Sequence, residues 1–230
     1  MTNILFWDID GTLLTTGRAG IFAWEEACLK LFNERVDLSG LHTSGLTDFE
    51  IATRIIEKYG DVSDRSLVSG LVSFYERALP ASLHLRRGSV LPGVFKVLDH
   101  ILIRENIFSM LLTGNTRAGA GAKLRHYGLS SYFEYGAFAE IGLDRTGIAR
   151  KAVDMAFDAT KKSLSMENVY VIGDTPHDIR CGKAVGARTV AVATGVHSVG
   201  ELIEHEPWWV IDRIPEPDIF LRKLGIAFYS

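Results

Sequence analysis

The sequence predicts an α/β fold: a doubly wound parallel sheet with an all-helical segment inserted directly after its first strand. Three observations lead there. Short, nearly continuous apolar runs recur at residues 3–8, 107–112, 169–173 and 189–192, as strands buried on both faces of a sheet require. From Pro92-Gly93 onward helical segments alternate with these runs, the pattern of parallel strands joined by right-handed crossovers. Between the first run and the second lies a long stretch with helical periodicity alone.

The first strand is Asn3 to Asp8, closed by the turn at Gly11. In the stretch that follows, Ile21, Trp24, Cys28 and Leu31 fall at helical spacing. Ala52, Ile55, Ile56 and Tyr59 do the same, as do Leu67, Leu71, Phe74, Tyr75 and Ala78. Each set is one apolar stripe, as helices packed on one another need. A helix through Val94, Val97, Leu98 and Ile101 then leads to the strand 107–112, which ends at Thr113-Gly114. Next come a helix through Leu124 and Tyr127, a short strand around Tyr135 to Phe138, and a helix near Ala149 to Phe157. The strand Val169 to Gly173, a helix ending near Gly186 and the strand Thr189 to Val192 complete the pattern, with Trp208-Trp209 read as a late strand or core packing. The expected organisation is a core of residues 1–14 and 89–230 with a helical cap of residues 15–88.

Composition narrows the function. With 230 residues, 47% hydrophobic and 23% charged, the chain can bury a sizeable core. A net charge of −3 gives no electrostatic pull toward nucleic acid or an anionic membrane. No apolar run reaches the roughly 20 residues that span a bilayer, and Met1-Thr2-Asn3 lacks the basic region of a secretion signal. Cys28 and Cys181 show no scaffold or metal spacing and read as reduced thiols, so the expected compartment is the cytoplasm.

Chemistry gathers at the strand ends. Asp8 and Asp10 flank Ile9, and two carboxylates on one side of extended backbone are costly unless a cation neutralises one or the other holds a proton. Gly11 then frees the chain to turn away. Gly173-Asp174-Thr175-Pro176-His177-Asp178 repeats the logic, and an oxygen-rich cluster from two strand ends suits a hard cation such as Mg²⁺. For Asp178 a helix cap is a fair competing reading. Thr113-Gly114-Asn115 ends a third strand just before a helix, where a hydroxyl and free N–H groups can cradle phosphate. In open parallel sheets the ligand crevice lies at these carboxyl ends. His126 and His177 read as exposed helical residues and are assigned no role.

These motifs make the chain recognisable: along nearly its whole length it resembles the haloacid dehalogenase superfamily, and within it phosphatases similar to phosphoglycolate phosphatase. Asp8-Ile9-Asp10-Gly11-Thr12-Leu13 matches the first motif, Thr113-Gly114-Asn115 the second, and Gly173 to Ile179 the fourth. Gly45-Leu46-Thr47-Asp48 and the stretches Gly186-Ala187-Arg188 and Thr194-Gly195 look like those phosphatases in particular. The resemblance implies a Rossmann-like core, Mg²⁺ as cofactor and a small phosphorylated metabolite as substrate. It further implies Asp8 as nucleophile and Asp10 as general acid and base, with Asp8, the Asp10 carbonyl and Asp174 around the metal. Thr113, Gly114 and Asn115 would hold the phosphoryl oxygens, and Asp178 would either support the metal ligands from behind or orient a metal water. The family's usual Lys-Pro before the following helix is absent; Gly142 to Gly147 stands there, and Arg145 is the expected substitute, with Lys151 the alternative.

The expected activity is release of phosphate from a monoester such as phosphoglycolate or a sugar phosphate. A phosphosugar mutase is the second reading, and a non-catalytic phosphate-binding regulatory protein the third, disfavoured by intact Asp8, Asp10 and Asp174. Selectivity is expected in the insertion, where His42, Thr43, Ser44, Thr47 and Asp48 form a polar loop. The competing reading there is structural: Thr47 and Glu50 form a capping box.

Overall fold

The computed structural model describes residues 2–60, 66–161 and 165–227. Strand β1 (Asn3–Trp7) is buried at every position. Leu5 and Trp7 turn to one face and Ile4 and Phe6 to the other, each pair joining a different hydrophobic cluster. That is why its sequence shows no alternation. The chain continues through β2 (Leu14–Thr15), α1 (Ala19–Phe32), α2 (Asp48–Tyr59), α3 (Ser66–Leu85) and β3 (Ser89–Val90). It then alternates: α4 (Val94–Leu102), β4 (Ile107–Leu112), α5 (Arg117–His126), β5 (Gly136–Ala137), α6 (Arg145–Thr160) and β6 (Val169–Gly173). The last elements are α7 (Pro176–Ala184), β7 (Arg188–Val192), α8 (Val199–Ile203), β8 (Trp209–Ile211) and α9 (Pro217–Lys223).

Six strands form one sheet in the order β5-β4-β1-β6-β7-β8, and every neighbouring pair is parallel. The sheet grows to one side of β1 with β4 and β5 and to the other with β6 to β8. The carboxyl ends of β4, β1 and β6 therefore lie side by side. One face is covered by α4, α5 and α9, which bury Val97, Leu124 and Phe220 against Leu5 and Trp7. On the other face α6 lays Ile148, Ala149, Ala152 and Ala156 against Ile4 and Phe6.

Helices α1 to α3 share a separate cluster that includes Trp24, Ile55, Leu71 and Tyr75. Trp24 and Tyr75 stack with ring centroids 3.9 Å apart and planes 5° from parallel. Residues 61–65 of the expected insertion lie outside the described residues.

Three local features differ from expectation. β2 and β3 pair antiparallel, Leu14 with Val90 and Thr15 with Ser89, and so join the chain's two passages between core and insertion. Two-residue strands leave no alternation to read. The strand expected around Tyr135 to Phe138 is only Gly136–Ala137. Helix α6 begins at Arg145, earlier than its apolar stripe, because Asp144 caps it by accepting from the Gly147 amide at 2.7 Å. No described helix is long and apolar enough to cross a membrane.

Candidate active site

Asp8 is the first residue past β1. Its amide donates to the Ile172 carbonyl at 3.0 Å, so the ladder to β6 still holds its backbone. Asp174 is the first residue past β6. Gly11, at φ +80°, turns the chain so closely over Asp174 that a Cβ there would collide with the carboxylate. Thr12 donates its hydroxyl to Asp174 at 3.3 Å. Thr113 is the first residue past β4, fully buried, with its amide on the Ala137 carbonyl at 3.1 Å. Three adjacent strand ends thus deliver Asp8, Asp174 and Thr113 to one place.

Arg145 begins α6 and is buried. Its guanidinium pairs with Asp178 and lies 3.6 Å from an Asp8 oxygen. Its Nε is buried with no hydrogen-bond partner among the described residues. Asp178 is also claimed by its own helix: it completes a capping box with Thr175, whose hydroxyl donates to Oδ2 at 2.6 Å. With Oδ1 held by Arg145 and Oδ2 by Thr175, Asp178 is committed to orienting Arg145 and starting α7. Lys151, the alternative to Arg145, is half-exposed and pairs with Glu140.

Asp10 is the most open of the acids, its side chain 43% exposed. Two donors hold its Oδ2: the Asn115 amide at 2.8 Å and the Lys123 ammonium at 2.5 Å. Asn115 also donates to the Thr113 hydroxyl at 2.8 Å. The sequence reading did not include Lys123. The clue was its position in α5, seven residues after the cap Thr116 and four after Gly119, on the helix's small-residue stripe. A buried lysine on that stripe needs an anionic partner.

A cavity of about 710 Å³ opens over these residues, walled on its far side by α1, α3 and the 39–46 loop. Ile21, Trp24 and Tyr75 supply an aromatic and apolar wall; Thr43 and Ser44 supply hydroxyls. Thr47 is fully buried and its side chain is spent on the capping box with Glu50. Asp48 reaches the cavity, but it also ties the insertion to the core. Its amide donates to the Gly114 carbonyl at 2.8 Å, and its Oδ2 accepts from the Thr116 amide at 2.7 Å. A Cβ at Gly114 would lie 2.6 Å from the Leu46 carbonyl oxygen, so glycine permits this approach. His177 and His126 are half-buried rather than exposed; His177 sits beneath Gly45 of the insertion.

The electrostatics favour a cation. Oxygens of Asp8, Asp174 and Asp178 all lie within 4.8 Å of one another. Burial raises the Asp8 pKa despite the Arg145 guanidinium. Burial, then the charges of Asp8 and Asp10, push Asp174 well above the carboxylate range. With all four carboxylates (Asp8, Asp10, Asp174, Asp178) ionised, two cations (Arg145, Lys123) would leave an excess of two negative charges, and the raised pKa values reflect burial together with that excess. A hard divalent ion with oxygen ligands fits that donor set.

The family model described as HAD-hydrolase-like matches residues 148–217. Over that stretch the chain is similar to haloacid dehalogenase-like hydrolases. A curated relative, "Probable phosphatase IndB" of Dickeya dadantii, is 26% identical over 222 residues, covering 94% of this chain and 92% of its own. CbbY from Rhodobacter sphaeroides, solved with phosphate, superposes with a TM-score of 0.74 at 17% identity, over 93% of this chain and 95% of that one. A Pseudomonas syringae hydrolase superposes at 0.71 with 21% identity, over 99% and 100%. These structures share this chain's fold over nearly its whole length.

Proposed function

We propose that this phosphatase is a Mg²⁺-dependent phosphomonoesterase that works through an aspartyl-phosphate on Asp8, with a small phosphorylated metabolite as substrate. The carrying observation is the position of Asp8, buried at the base of the cavity beside Arg145, Thr113 and Asp174.

Asp8 and Asp174, with the Asp10 backbone carbonyl, would hold the Mg²⁺, which when bound offsets charge between the phosphate and the nucleophile. An Asp8 oxygen attacks phosphorus, forming a P–O bond to the carboxylate as the bond to the leaving oxygen breaks. Asp10 gives its proton to that oxygen, so an alcohol departs rather than an alkoxide. Asp10 then takes a proton from a water that attacks phosphorus, the bond to Asp8 breaks and inorganic phosphate leaves. Splitting one hard displacement into two easier ones is the gain from covalent catalysis. Thr113, the Gly114 and Asn115 amides and Arg145 hold the equatorial oxygens, where positioning and charge stabilisation do most of the catalytic work. The unpartnered Arg145 Nε supports that role.

Residues 15–88 act as a cap whose Thr43, Ser44 and Asp48 face the leaving group and select among phosphoglycolate-like and sugar phosphates. The test uses p-nitrophenyl phosphate and a panel of phosphorylated metabolites. Turnover should require Mg²⁺, and Asp8→Asn should leave the fold intact while cutting kcat by about a thousandfold or more. A variant that kept more than that would remove Asp8 as nucleophile.

A further inference from the structure

We propose that Lys123 is a positioning residue for leaving-group protonation: it fixes the Asp10 carboxylate and the Asn115 amide in the one arrangement that presents Asp10 to the substrate. This rests on the reading of Asp10 as general acid, and the experiment below separates the two.

Lys123 comes from the core helix α5, not from the motifs that carry Asp10 and Asn115. Its side chain is 5% exposed, against 43% for Asp10. Its ammonium lies 2.5 Å from Asp10 Oδ2 and 2.5 Å from Asn115 Oδ1. An ammonium only donates, so its contact with Asn115 must be to the carbonyl oxygen. That choice leaves the Asn115 NH₂ pointing the other way, where it donates to Asp10 Oδ2 at 2.8 Å and to Thr113 Oγ1 at 2.8 Å. One lysine therefore sets the orientation of Asn115 and, directly and through it, of Asp10.

The consequence is geometric. Both donors converge on Oδ2, and no described residue bonds Oδ1. Oδ1 is left as the oxygen that carries the proton to the leaving group. A carboxylate this exposed and unheld would spread over its rotamers, and proton transfer demands a fixed donor–acceptor geometry. Lys123 also lines the cavity, yet its ammonium is directed at Asp10 and Asn115, so it acts through them.

The test compares Lys123→Met with Asp10→Asn on a good leaving group, p-nitrophenyl phosphate, and a poor one, an alkyl phosphate. If Lys123 positions the acid, its variant should lose on the order of tenfold more kcat on the alkyl phosphate than on the nitrophenyl ester, because a good leaving group needs little protonation. The double variant should fall no more than about twofold below Asp10→Asn alone, since the acid it positions is already gone. Equal losses on the two substrates, or losses that multiply in the double variant, would overturn the proposal. Circular dichroism and the melting temperature report folding. If Lys123→Met does not fold, Lys123→Ala, which also removes the donor and leaves room for water beside Asp10, is assayed on the same two substrates with the same criteria. If Asp10→Asn itself shows no leaving-group dependence, the acid assignment fails first and the Lys123 proposal with it. If Asp10→Asn shows it and the Lys123 variants do not, only the Lys123 proposal falls.

Discussion

Arg145→Met removes the charge while keeping much of the side-chain volume. Arg145 is buried, pairs with Asp178 and stands 3.6 Å from Asp8. At an effective dielectric of about 20, two unit charges at that separation interact by roughly 5 kcal/mol, before the opposing cost of desolvation. Removing one partner of a buried pair strands the other, which costs about 3–5 kcal/mol. For a chain of this size that corresponds to a fall in melting temperature of roughly 6–20 °C. Assays therefore run well below the variant's own midpoint. In the reaction the same guanidinium would meet charge on the transferring phosphoryl group, and losing one such donor costs about 3–4 kcal/mol, or roughly 150- to 900-fold in kcat/KM. The sign with pH also follows. Asp8 already has a raised pKa from burial, and without Arg145 it rises further. Destabilisation should therefore grow as pH rises and Asp8 ionises, and shrink as pH falls and Asp8 takes up a proton. Arg145→Lys should recover only part of the rate, since an ammonium cannot keep a two-pronged grip. Lys151→Ala, at a half-exposed surface pair with Glu140, should be nearly silent. A harmless Arg145→Met beside a crippling Lys151→Ala would refute the reasoning and move the role to Lys151.

Mg²⁺ should raise the melting temperature, and more at pH 7.5 than at pH 5, because Asp8 and Asp174 have raised pKa values and a divalent ion binds their ionised forms. At about a hundredfold its Kd the ion would add about 2.7 kcal/mol, and thermal denaturation with and without chelator reads it. Burial pushes the Asp48 carboxyl up to about 6, so its contribution to stability is present at low pH and lost as pH rises from about 4 through 6. Asp48→Asn should flatten that part of the stability–pH curve by up to about 3 kcal/mol, and an unchanged curve would show that the group titrates normally. Cys28 and Cys181 are buried free thiols, with Cys28 pushed up to about 12 by burial. A thiol reagent at pH 8 should find neither in the native protein and both after denaturation.

The sheet was legible in the sequence because its strands are buried on both faces. Continuous runs such as Ile4 to Trp7 and Val169 to Ile172 have no other economical reading. Asp8, Asp174 and Thr113 were legible for a related reason: each is the first polar residue after such a run, and a parallel sheet brings those ends together. Elements set by contact rather than periodicity were not. The β2–β3 pair is two residues on each side. Lys123 sits on the small-residue stripe of α5, which hints at burial but names no partner, and its partners lie 8 and 113 positions away. Asp178 and Thr47 each offered a cap reading beside a functional one. The structure places both in capping boxes, because a carboxylate or hydroxyl at a helix start has orphan N–H groups within reach.

In the proposed mechanism, Asn115 is the point where selection by the insertion and protonation in the core would meet. Asp48, at the start of α2, grips the backbone on both sides of it: the Gly114 carbonyl before and the Thr116 amide after. The Asn115 side chain in turn holds Asp10 and is itself held by Lys123. A leaving group that disturbed the 39–46 loop would therefore act on the loop proposed to cradle the phosphoryl oxygens, through one buried carboxylate. The connection is made of hydrogen bonds of 2.5 to 2.8 Å, so a displacement at Asp48 would lengthen and weaken them. In the proposed mechanism, substrate fit at the insertion and acid placement at Asp10 would be coupled through Asp48 and Asn115.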